Sequence, residues 1–244
     1  MIPKVIHYCW FGGNPLTENI KQYIRTWKKF FPDYEIRQWN EKNFDLNSCQ
    51  FVREAYQARK WAFVSDYVRL YVVYKYGGIY FDTDIEVRRD ISDYLKKAKM
   101  LLGFESQTSV MTAFFAAEPE NTFIKKLLDI YNNKPFILPD GRYDVAPNPI
   151  LFTSELQKIG LVTNGKTQVF GDSYHIYPYE FFSAFNIDYQ KFEITENTYI
   201  VHHCNGSWQS PNDKIKQKLK SIILKAIGKE CFEKIKKRFY KNKR

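Results

Sequence analysis

The sequence predicts an α/β fold in which strands and helices alternate along the chain. Short runs of β-branched and aromatic residues alternate with longer segments in which apolar residues recur at helical spacing. Glycine and proline separate these segments, as is typical of turns and helix ends. The 244 residues, of which 18% are aromatic, suffice for one α/β domain with a sizeable hydrophobic core.

Each element follows from local signals. The first helix begins beside Thr17, has Glu18 in its first turn and ends before Pro32. Strands are predicted at residues 3–9, 34–39, 77–85, 99–104, 110–116, 167–170, 174–177 and 198–203. Helices are predicted at residues 17–30, 50–59, 61–76, 121–132 and 150–159. Residues 134–149 contain four prolines and predict an irregular loop.

Residues 77–85 read Gly-Gly-Ile-Tyr-Phe-Asp-Thr-Asp-Ile, an apolar run that ends in two carboxylates, Asp82 and Asp84. On an extended backbone, residues two apart project to the same side, so we expect these carboxylates to lie together. Adjacent acids repel each other and lose hydration unless a cation compensates, and hard oxygen ligands favour Mg²⁺ or Mn²⁺. Such cations commonly hold nucleotide phosphates. The alternative is two solvated acids in a turn.

The helix predicted at residues 61–76 is apolar on nearly all sides, which predicts that it is buried. Its exceptions, Ser65, Asp66 and Arg69, share one face. One interpretation is a buried Asp66–Arg69 ion pair that serves packing. The other is that both groups point into a nucleotide pocket beside the cation site, and the nearby Asp-x-Asp motif favours this second interpretation.

These segments together resemble a known family. Ser-Asp-x-x-Arg at residues 65–69, followed by Gly-Gly-Ile-Tyr-x-Asp-x-Asp at 77–84, resembles the DXD-containing sugar transferases of glycosyltransferase family 32. That family includes bacterial capsule and lipopolysaccharide transferases and is related to the catalytic domains of clostridial glucosylating toxins. Residues 2–13 resemble its first strand and nucleotide-contacting loop, and residues 201–208, Val-His-His-Cys-Asn-Gly-Ser-Trp, resemble its closing motif.

The resemblance implies a GT-A fold, a Rossmann-like sheet that binds nucleotide at the carboxyl ends of its strands. It implies metal-dependent transfer of a hexosyl or N-acetylhexosaminyl group, with retention of anomeric configuration, from a nucleotide sugar. A UDP-sugar is the favoured donor. The acceptor would be a hydroxyl of a growing surface polysaccharide or of a lipid-linked oligosaccharide. Bound Mn²⁺ or Mg²⁺ would stabilise the charge that develops on the leaving diphosphate.

The implied site residues come from several parts of the sequence. Asp84 is the strongest candidate for a direct metal ligand, and Asp82 would contact ribose or the metal through water. His202 is the expected third ligand, with His203 as the alternative because adjacent strand residues face opposite ways. The residues implied in nucleotide or sugar binding are Trp10, Asp66, Arg69, Tyr80, Ser207 and Trp208. Trp10 has the alternative of a core aromatic, and each histidine that of a hydrogen-bonded structural residue.

Two departures from the family pattern concern donor and acceptor identity. Residues 112–115, Thr-Ala-Phe-Phe, stand where relatives often carry an Asn that helps to hold the donor sugar. The donor sugar of those relatives is therefore a weaker guide to the donor of this chain. Residues 146–149, Ala-Pro-Asn-Pro, stand where relatives often have Gly-Pro, in a loop suited to acceptor recognition.

The net charge of +10 belongs to the C-terminal segment. Residues 214–244 hold 13 of the 37 bases and 2 of the 27 acids, a net of +11, which leaves 24 bases and 25 acids elsewhere. Apolar residues recur at helical spacing within this segment. We therefore predict a catalytic domain at 1–210 and a basic amphipathic helical tail at 211–244, which would bind an anionic membrane surface through residues 214–244. The alternative is a tail helix packed on the domain.

Other features limit the remaining functions. No recognition module for nucleic acid accompanies the basic segment, so nucleic-acid binding is not predicted. The scattered cysteines lack zinc-site spacing and are expected to be reduced thiols. The sequence has neither a signal-peptide pattern nor an uncharged apolar run near 20 residues, which predicts a cytoplasmic location, peripheral on the inner face of the membrane.

Two further functions have sequence support. A haloacid-dehalogenase-type phosphohydrolase also places Asp-x-Asp after an apolar strand, but its motif usually continues with Thr or Val where this chain has Glu86. A non-catalytic carbohydrate-binding or membrane-adaptor protein would use the aromatic residues and the basic tail. The combined motifs favour the transferase over both.

Overall fold

The computed structural model describes residues 1–186 and 190–205. The strands are β1 (Val5–Cys9), β2 (Glu35–Trp39), β3 (Gly78–Phe81), β4 (Ile85–Val87), β5 (Met100–Phe104), β6 (Val110–Ala117), β7 (Gln168–Phe170), β8 (Tyr174–Tyr177), β9 (Phe185–Asn186), β10 (Lys191–Phe192) and β11 (Ile200–His202). The helices are α1 (Glu18–Phe30), α2 (Gln50–Gln57), α3 (Trp61–Tyr76), α4 (Ser92–Lys97), α5 (Thr122–Asn132), α6 (Asn148–Gln157) and α7 (Tyr179–Phe182).

A mixed seven-stranded sheet in the order β2-β1-β3-β6-β5-β8-β7 confirms the predicted α/β class. Strands β2, β1 and β3 are parallel and form its Rossmann-like half. Strand β6 runs antiparallel to both β3 and β5, so the carboxyl ends of β3 and β5 lie at the same edge, where β6 begins. A separate antiparallel pair joins β11 to β4.

Helices cover the sheet on both faces because successive side chains along its strands pack into two different hydrophobic clusters. On β3, Tyr80 packs into one cluster with residues of α2, α3, α5 and α6. Its neighbours Ile79 and Phe81 pack into the other, which includes Trp27 of α1 and residues of α4 and α7. Strands buried on both faces explain the near-continuous apolar runs in the sequence.

The junction between α3 and β3 depends on a glycine. Gly77 ends the helix with φ near 63°, a conformation that L side chains rarely adopt. A Cβ at this position would also come within 2.7 Å of both Pro3 and Pro119. The backbone can therefore turn here from the buried helix into the strand that carries the carboxylates.

The structure corrects the sequence prediction at the motif itself. The strand predicted at 77–85 is two strands, β3 and β4, separated by a turn in which the Ile85 amide donates to the Asp82 carbonyl at 3.1 Å. Asp82 and Asp84 therefore meet through a turn and not through strand alternation. The short elements α4, α7, β9 and β10 were not predicted, because they are too short to show a clear periodicity.

Part of the prediction lies outside the described residues. These are the helical tail at 211–244, the domain boundary near 210, and the candidate residues Ser207 and Trp208. Among the helices that the structure does describe, none has the length and apolar character needed to cross a membrane.

Candidate functional site

The turn after β3 brings the motif to the edge of the sheet. The Asp82 amide donates to the Ala113 carbonyl of β6 at 2.8 Å, which fixes the start of the turn. Beyond the turn, β4 pairs with β11 so that Ile85 lies opposite His202. A histidine more than 100 residues downstream is thereby placed beside the two carboxylates.

Asp82, Asp84 and His202 offer ligand atoms that all lie within 4.8 Å of one another. His202 Nε2 is 3.4 Å from Asp84 Oδ1, and all three residues are half-buried. Two carboxylate oxygens and one imidazole nitrogen form a donor set that suits Mn²⁺ and also Mg²⁺. The residues therefore fit the divalent metal that the sequence predicted.

The structure distinguishes the two adjacent histidines. His203 faces away from the carboxylates: its Nε2 lies 2.9 Å from Glu86 Oε2, and its ring stacks on Tyr23 with centroids 4.6 Å apart. Its backbone amide donates to the Asp84 carbonyl at 3.0 Å. His202 is thus the histidine on the side of the two carboxylates, and His203 fastens the strand beside it.

Asp84 and His202 shift each other's pKa through charge and hydrogen bonding. Burial raises the pKa of Asp84, but the charge and hydrogen bond of His202, with a 2.9 Å hydrogen bond from the Asn205 amide, lower it overall. Burial lowers the pKa of His202, yet the attraction of Asp84 raises it well above its usual value. Asp84 and His202 therefore stabilise each other's charged forms, and a metal ion would take the place of the imidazole proton.

Asp82 is held by a buried network centred on Arg69. Arg69 Nη2 lies 3.3 Å from Asp82 Oδ1 and 3.1 Å from Asp66 Oδ1, and the arginine side chain is only 7% exposed. Arg69 Nη1 also donates to the Thr112 carbonyl at 2.9 Å, and the Tyr80 hydroxyl donates to Asp82 at 2.8 Å. The orientation of Asp82 is fixed before any ligand arrives.

The two partners of this ion pair respond differently to burial. Burial raises the pKa of Asp66 to about 6, although the charge of Arg69 opposes the rise. Burial also acts to lower the pKa of Arg69, but Asp82, Tyr80 and Asp66 together raise it. Arg69 is therefore a permanently charged group between two carboxylates. The interpretation as a buried pair holds, and the same pair contacts the metal-type motif, while direct nucleotide contact stays a prediction.

The other two candidate residues that the structure describes, Trp10 and Tyr80, lie at the same edge of the sheet. Trp10 follows β1, is half-buried, and its Nε1 donates to the Asn14 carbonyl at 2.6 Å. Tyr80 is 1% exposed and lies behind Asp82. Their contacts with the nucleotide stay predictions.

Sequence reasoning missed two contacts of this site. Asn148 is 3% exposed, and its Nδ2 lies 3.4 Å from Asp66 Oδ1 at the start of α6. Pro147 and Pro149 mark a helix start, but nothing in the sequence joins this helix to α3. Cys204 Sγ lies 3.4 Å from His202 Nδ1, a contact with no recognisable sequence signal.

Comparison with known proteins bears out the resemblance over one region of the chain. Residues 17–102, which include the two carboxylates, match the family model described as "Glycosyltransferase sugar-binding region containing DXD motif". The match covers 86 of the 244 residues, so the DXD family is shown for that region of the chain. The resemblance stated from the sequence is thus confirmed, and the family favours the transferase over the phosphohydrolase and the non-catalytic binding protein.

Curated proteins similar to this chain occur in Schizosaccharomyces pombe. The chain is 26% identical over 134 residues to inositol phosphoceramide mannosyltransferase 1, a match that covers 50% of this chain and 40% of that protein. It is 30% identical over 98 residues to inositol phosphoceramide mannosyltransferase 3, covering 38% and 27%. The matched region thus spans less than half the length of these relatives. Among solved structures, PaToxG glycosyltransferase is similar at 23% identity and a TM-score of 0.49, covering 64% of this chain and 68% of that one.

Proposed function

We propose that the chain is a metal-dependent, retaining glycosyltransferase that takes a sugar from a nucleotide-sugar donor. The observation that carries the proposal is the convergence of Asp82, Asp84 and His202 at one sheet edge, within or beside the matched sugar-binding region. A UDP-sugar is the favoured donor. The two yeast relatives are named as mannosyltransferases, which supports a hexosyl group and brings GDP-sugars into the test.

In this proposal Asp84 and His202 hold Mn²⁺ or Mg²⁺, and Asp82 joins them directly or through water. The bound metal supplies a Lewis acid that stabilises charge on the leaving diphosphate. Arg69 and Tyr80 keep Asp82 oriented toward the metal position. Preorganised groups of this kind act without reorganising during the reaction.

The acceptor is proposed to be a hydroxyl of a glycan or of a lipid-linked glycan. Both yeast relatives are named for inositol phosphoceramide, which is a phosphosphingolipid. These names support an acceptor at a membrane surface. Capsule or lipopolysaccharide synthesis is the bacterial context in which such an acceptor would be used, and the inner face of the cytoplasmic membrane is the proposed location.

Calorimetry with UDP, GDP and their sugars, each with Mn²⁺ and with EDTA, tests the metal site. We expect nucleotide binding only with the metal, and a loss of at least roughly 100-fold in Asp84→Asn, since even groups behind metal ligands contribute about 10- to 100-fold. Asp172→Asn is the matched control, because Asp172 pairs with Lys99 and is not one of the proposed ligands. Equal affinity with and without EDTA would refute the proposal.

We also propose that residues 214–244 bind anionic membrane. Each base near an anionic surface contributes on the order of 1 kcal/mol, and salt screens the effect. The full-length protein should therefore bind anionic vesicles at low salt, release at high salt, and ignore neutral vesicles. Replacing Lys214, Lys216, Lys218 and Lys220 with Gln should weaken binding at least roughly tenfold. Full-length protein that ignores anionic vesicles at low salt would contradict this.

A further inference from the structure

Glu105 is a carboxylate at the candidate site that the described network does not use. It follows β5 directly, and β5 runs in the same direction as β3 with β6 between them. Adjacent strands are about 4.8 Å apart, so the backbone of Glu105 lies roughly 10 Å along the sheet edge from the end of β3. Asp82 and Glu105 thus follow the carboxyl ends of two strands at one edge.

The local contacts fix one of the two Glu105 carboxylate oxygens. Ser109 Oγ donates to Oε1 at 2.7 Å, and the Glu105 amide donates to the Ser109 carbonyl at 2.9 Å across the β5–β6 hairpin. Within residues 1–186 and 190–205, no group bonds to Oε2 and no lysine or arginine pairs with Glu105. Among the described residues, the half-buried side chain therefore offers an oriented acceptor whose Oε2 has no partner.

The surroundings of Glu105 connect it to the metal-ligand cluster. Burial raises the pKa of Glu105, while the Ser109 hydrogen bond and the charge of His202 oppose the rise. The imidazole of His202 therefore lies within range of charge–charge interaction with Glu105. A carboxylate that loses hydration without an ion pair is costly unless a ligand can satisfy it.

The order of strands at this edge assigns Glu105 to one end of a bound donor. Open α/β sheets bind ligands outside the carboxyl ends of their strands. Trp10 follows β1, the carboxylate pair follows β3, and Glu105 follows β5 beyond β6. A donor with its nucleoside near β1 and its diphosphate at the β3 turn would extend its sugar across β6 toward β5.

We propose that Glu105 accepts a hydrogen bond from a sugar hydroxyl on the side of the metal opposite the nucleoside. This inference rests on the proposed function. The hydroxyl belongs either to the transferred sugar or to the acceptor, and the shared chemistry is a sugar hydroxyl donating to a fixed carboxylate. Glu105 would then help to select the sugar without contributing to binding of the bare nucleotide.

The test compares Glu105→Gln with Glu118→Gln. Glu118 follows β6 at the opposite edge of the same hairpin and contacts the N-terminal amine, so it controls for loss of a carboxylate. Calorimetry with UDP and GDP in Mn²⁺ measures bare nucleotide affinity. Binding of UDP-glucose, UDP-galactose and GDP-mannose, and their hydrolysis by water, measures the sugar contact.

We expect Glu105→Gln to bind UDP or GDP within about twofold of wild type. It should lose at least roughly tenfold in nucleotide-sugar binding or hydrolysis, as is typical of a hydrogen bond to a charged group. A normal donor profile with impaired transfer to a panel of nitrophenyl glycosides would assign the hydroxyl to the acceptor. Ser109→Ala, which frees the carboxylate to rotate, should show a smaller loss of the same kind.

Three results would count against the proposal. If Glu105→Gln matches Glu118→Gln in every assay, the carboxylate contacts no sugar. If it loses bare nucleotide affinity together with a fall in melting temperature that Glu118→Gln does not show, its role is to hold the hairpin. If wild type binds neither UDP nor GDP with Mn²⁺, the proposed function itself fails, an outcome that is distinct from the first two.

Discussion

The two carboxylates of the motif are only two residues apart, yet opposite parts of the molecule hold them. Asp82 is held from inside the domain, by Arg69 of α3 and by the hydroxyl of Tyr80. Asp84 is held from the other side, by His202 of β11 and by the Asn205 amide. Buried groups that are close in sequence orient Asp82, and a strand that is distant in sequence holds Asp84.

This difference separates stability from ligand binding. The Asp82 side is a buried charge network whose loss exposes an unpaired charge to a poorly hydrated interior, so changes there should act on folding. The Asp84 side is half-buried and depends on how β11 docks against β4, so changes there should act on binding of the proposed metal. Substitutions on the two sides should therefore give different combinations of effects.

The largest effect is expected on the Asp82 side. Arg69→Met would leave Asp66 and Asp82 close together without their shared cation, and we expect a loss of about 3–5 kcal/mol in the free energy of unfolding. Urea denaturation measures it. Asp84→Asn should cost less, because His202, unlike Arg69, can release its proton when the carboxylate is removed and so leaves no unpaired buried charge.

Two further variants sharpen this result. Arg69→Lys keeps the charge but loses the planar fork that reaches both carboxylates, so its stability should fall between wild type and Arg69→Met. Asp66→Asn leaves Arg69 paired with Asp82 and should cost less than Arg69→Met. If Arg69→Met were no less stable than Asp84→Asn, the distinction between the two sides would be wrong.

The internal side extends to a second buried group, His7 of β1. Its Nε2 lies 2.9 Å from the Gly77 carbonyl at the start of β3, and its Nδ1 accepts from Trp39 Nε1 at 3.1 Å. This arrangement needs the neutral ring with its proton on Nε2. Burial lowers the pKa of His7 from 6.5 to about 4.

The pKa of His7 predicts a pH-dependent stability. Because protonation occurs more readily in the unfolded chain, the contribution of His7 is fully present above pH 6.5 and is lost as the pH falls toward about 4. The shift corresponds to roughly 3 kcal/mol in the free energy of unfolding. His7→Gln keeps a donor for Gly77 but does not titrate.

Urea denaturation between about pH 7 and about pH 4 compares the two proteins. Wild type should be more stable than His7→Gln near neutral pH, and this difference should shrink or reverse as the pH falls. All other titrating groups are common to both, so their effects cancel. Parallel stability profiles would show that His7 does not provide a pH-dependent part of this internal support.

The same contrast explains what the sequence could predict. Helix α3, its end at Gly77 and the carboxylates that follow lie within one short segment, so periodicity and spacing sufficed to propose that they act together. The i, i+3 spacing of Asp66 and Arg69 also predicted their contact correctly. The contact of Arg69 with Asp82 depends on how α3 packs on the sheet, which spacing alone does not determine.

The Asp84 side shows where sequence reasoning ends. Strand alternation said that His202 and His203 face opposite ways, but the choice between them depends on the register of β11 against β4. The two carboxylates meet through a turn, although the sequence of this turn continues the residue pattern of β3 without a visible break. Asn148 and Cys204 reach the site through tertiary packing, which leaves no local pattern to detect.

The smallest effect is expected at the residues that fasten β11. His203 bonds Glu86 through its side chain and stacks on Tyr23, while its backbone amide bonds the Asp84 carbonyl. His203→Phe keeps a ring for the stack and the backbone bond but removes the side-chain bond to Glu86. We expect Mn²⁺ affinity to fall by roughly 3- to 10-fold, below the usual range for groups that bond a metal ligand directly.

Calorimetric Mn²⁺ titration measures this loss, and urea denaturation should give a change below about 1 kcal/mol, because the side chain is half-buried and the removed bond is polar. Glu86→Gln retains a hydrogen-bonding group opposite His203 and should lose less Mn²⁺ affinity than His203→Phe. Unchanged Mn²⁺ affinity in His203→Phe would mean that the backbone pairing of β11 and β4 suffices to hold Asp84. If His203→Phe lost as much stability as Arg69→Met, β11 would be as essential to folding as the buried arginine. The Asp82 and Asp84 sides of the motif would then form one structural unit.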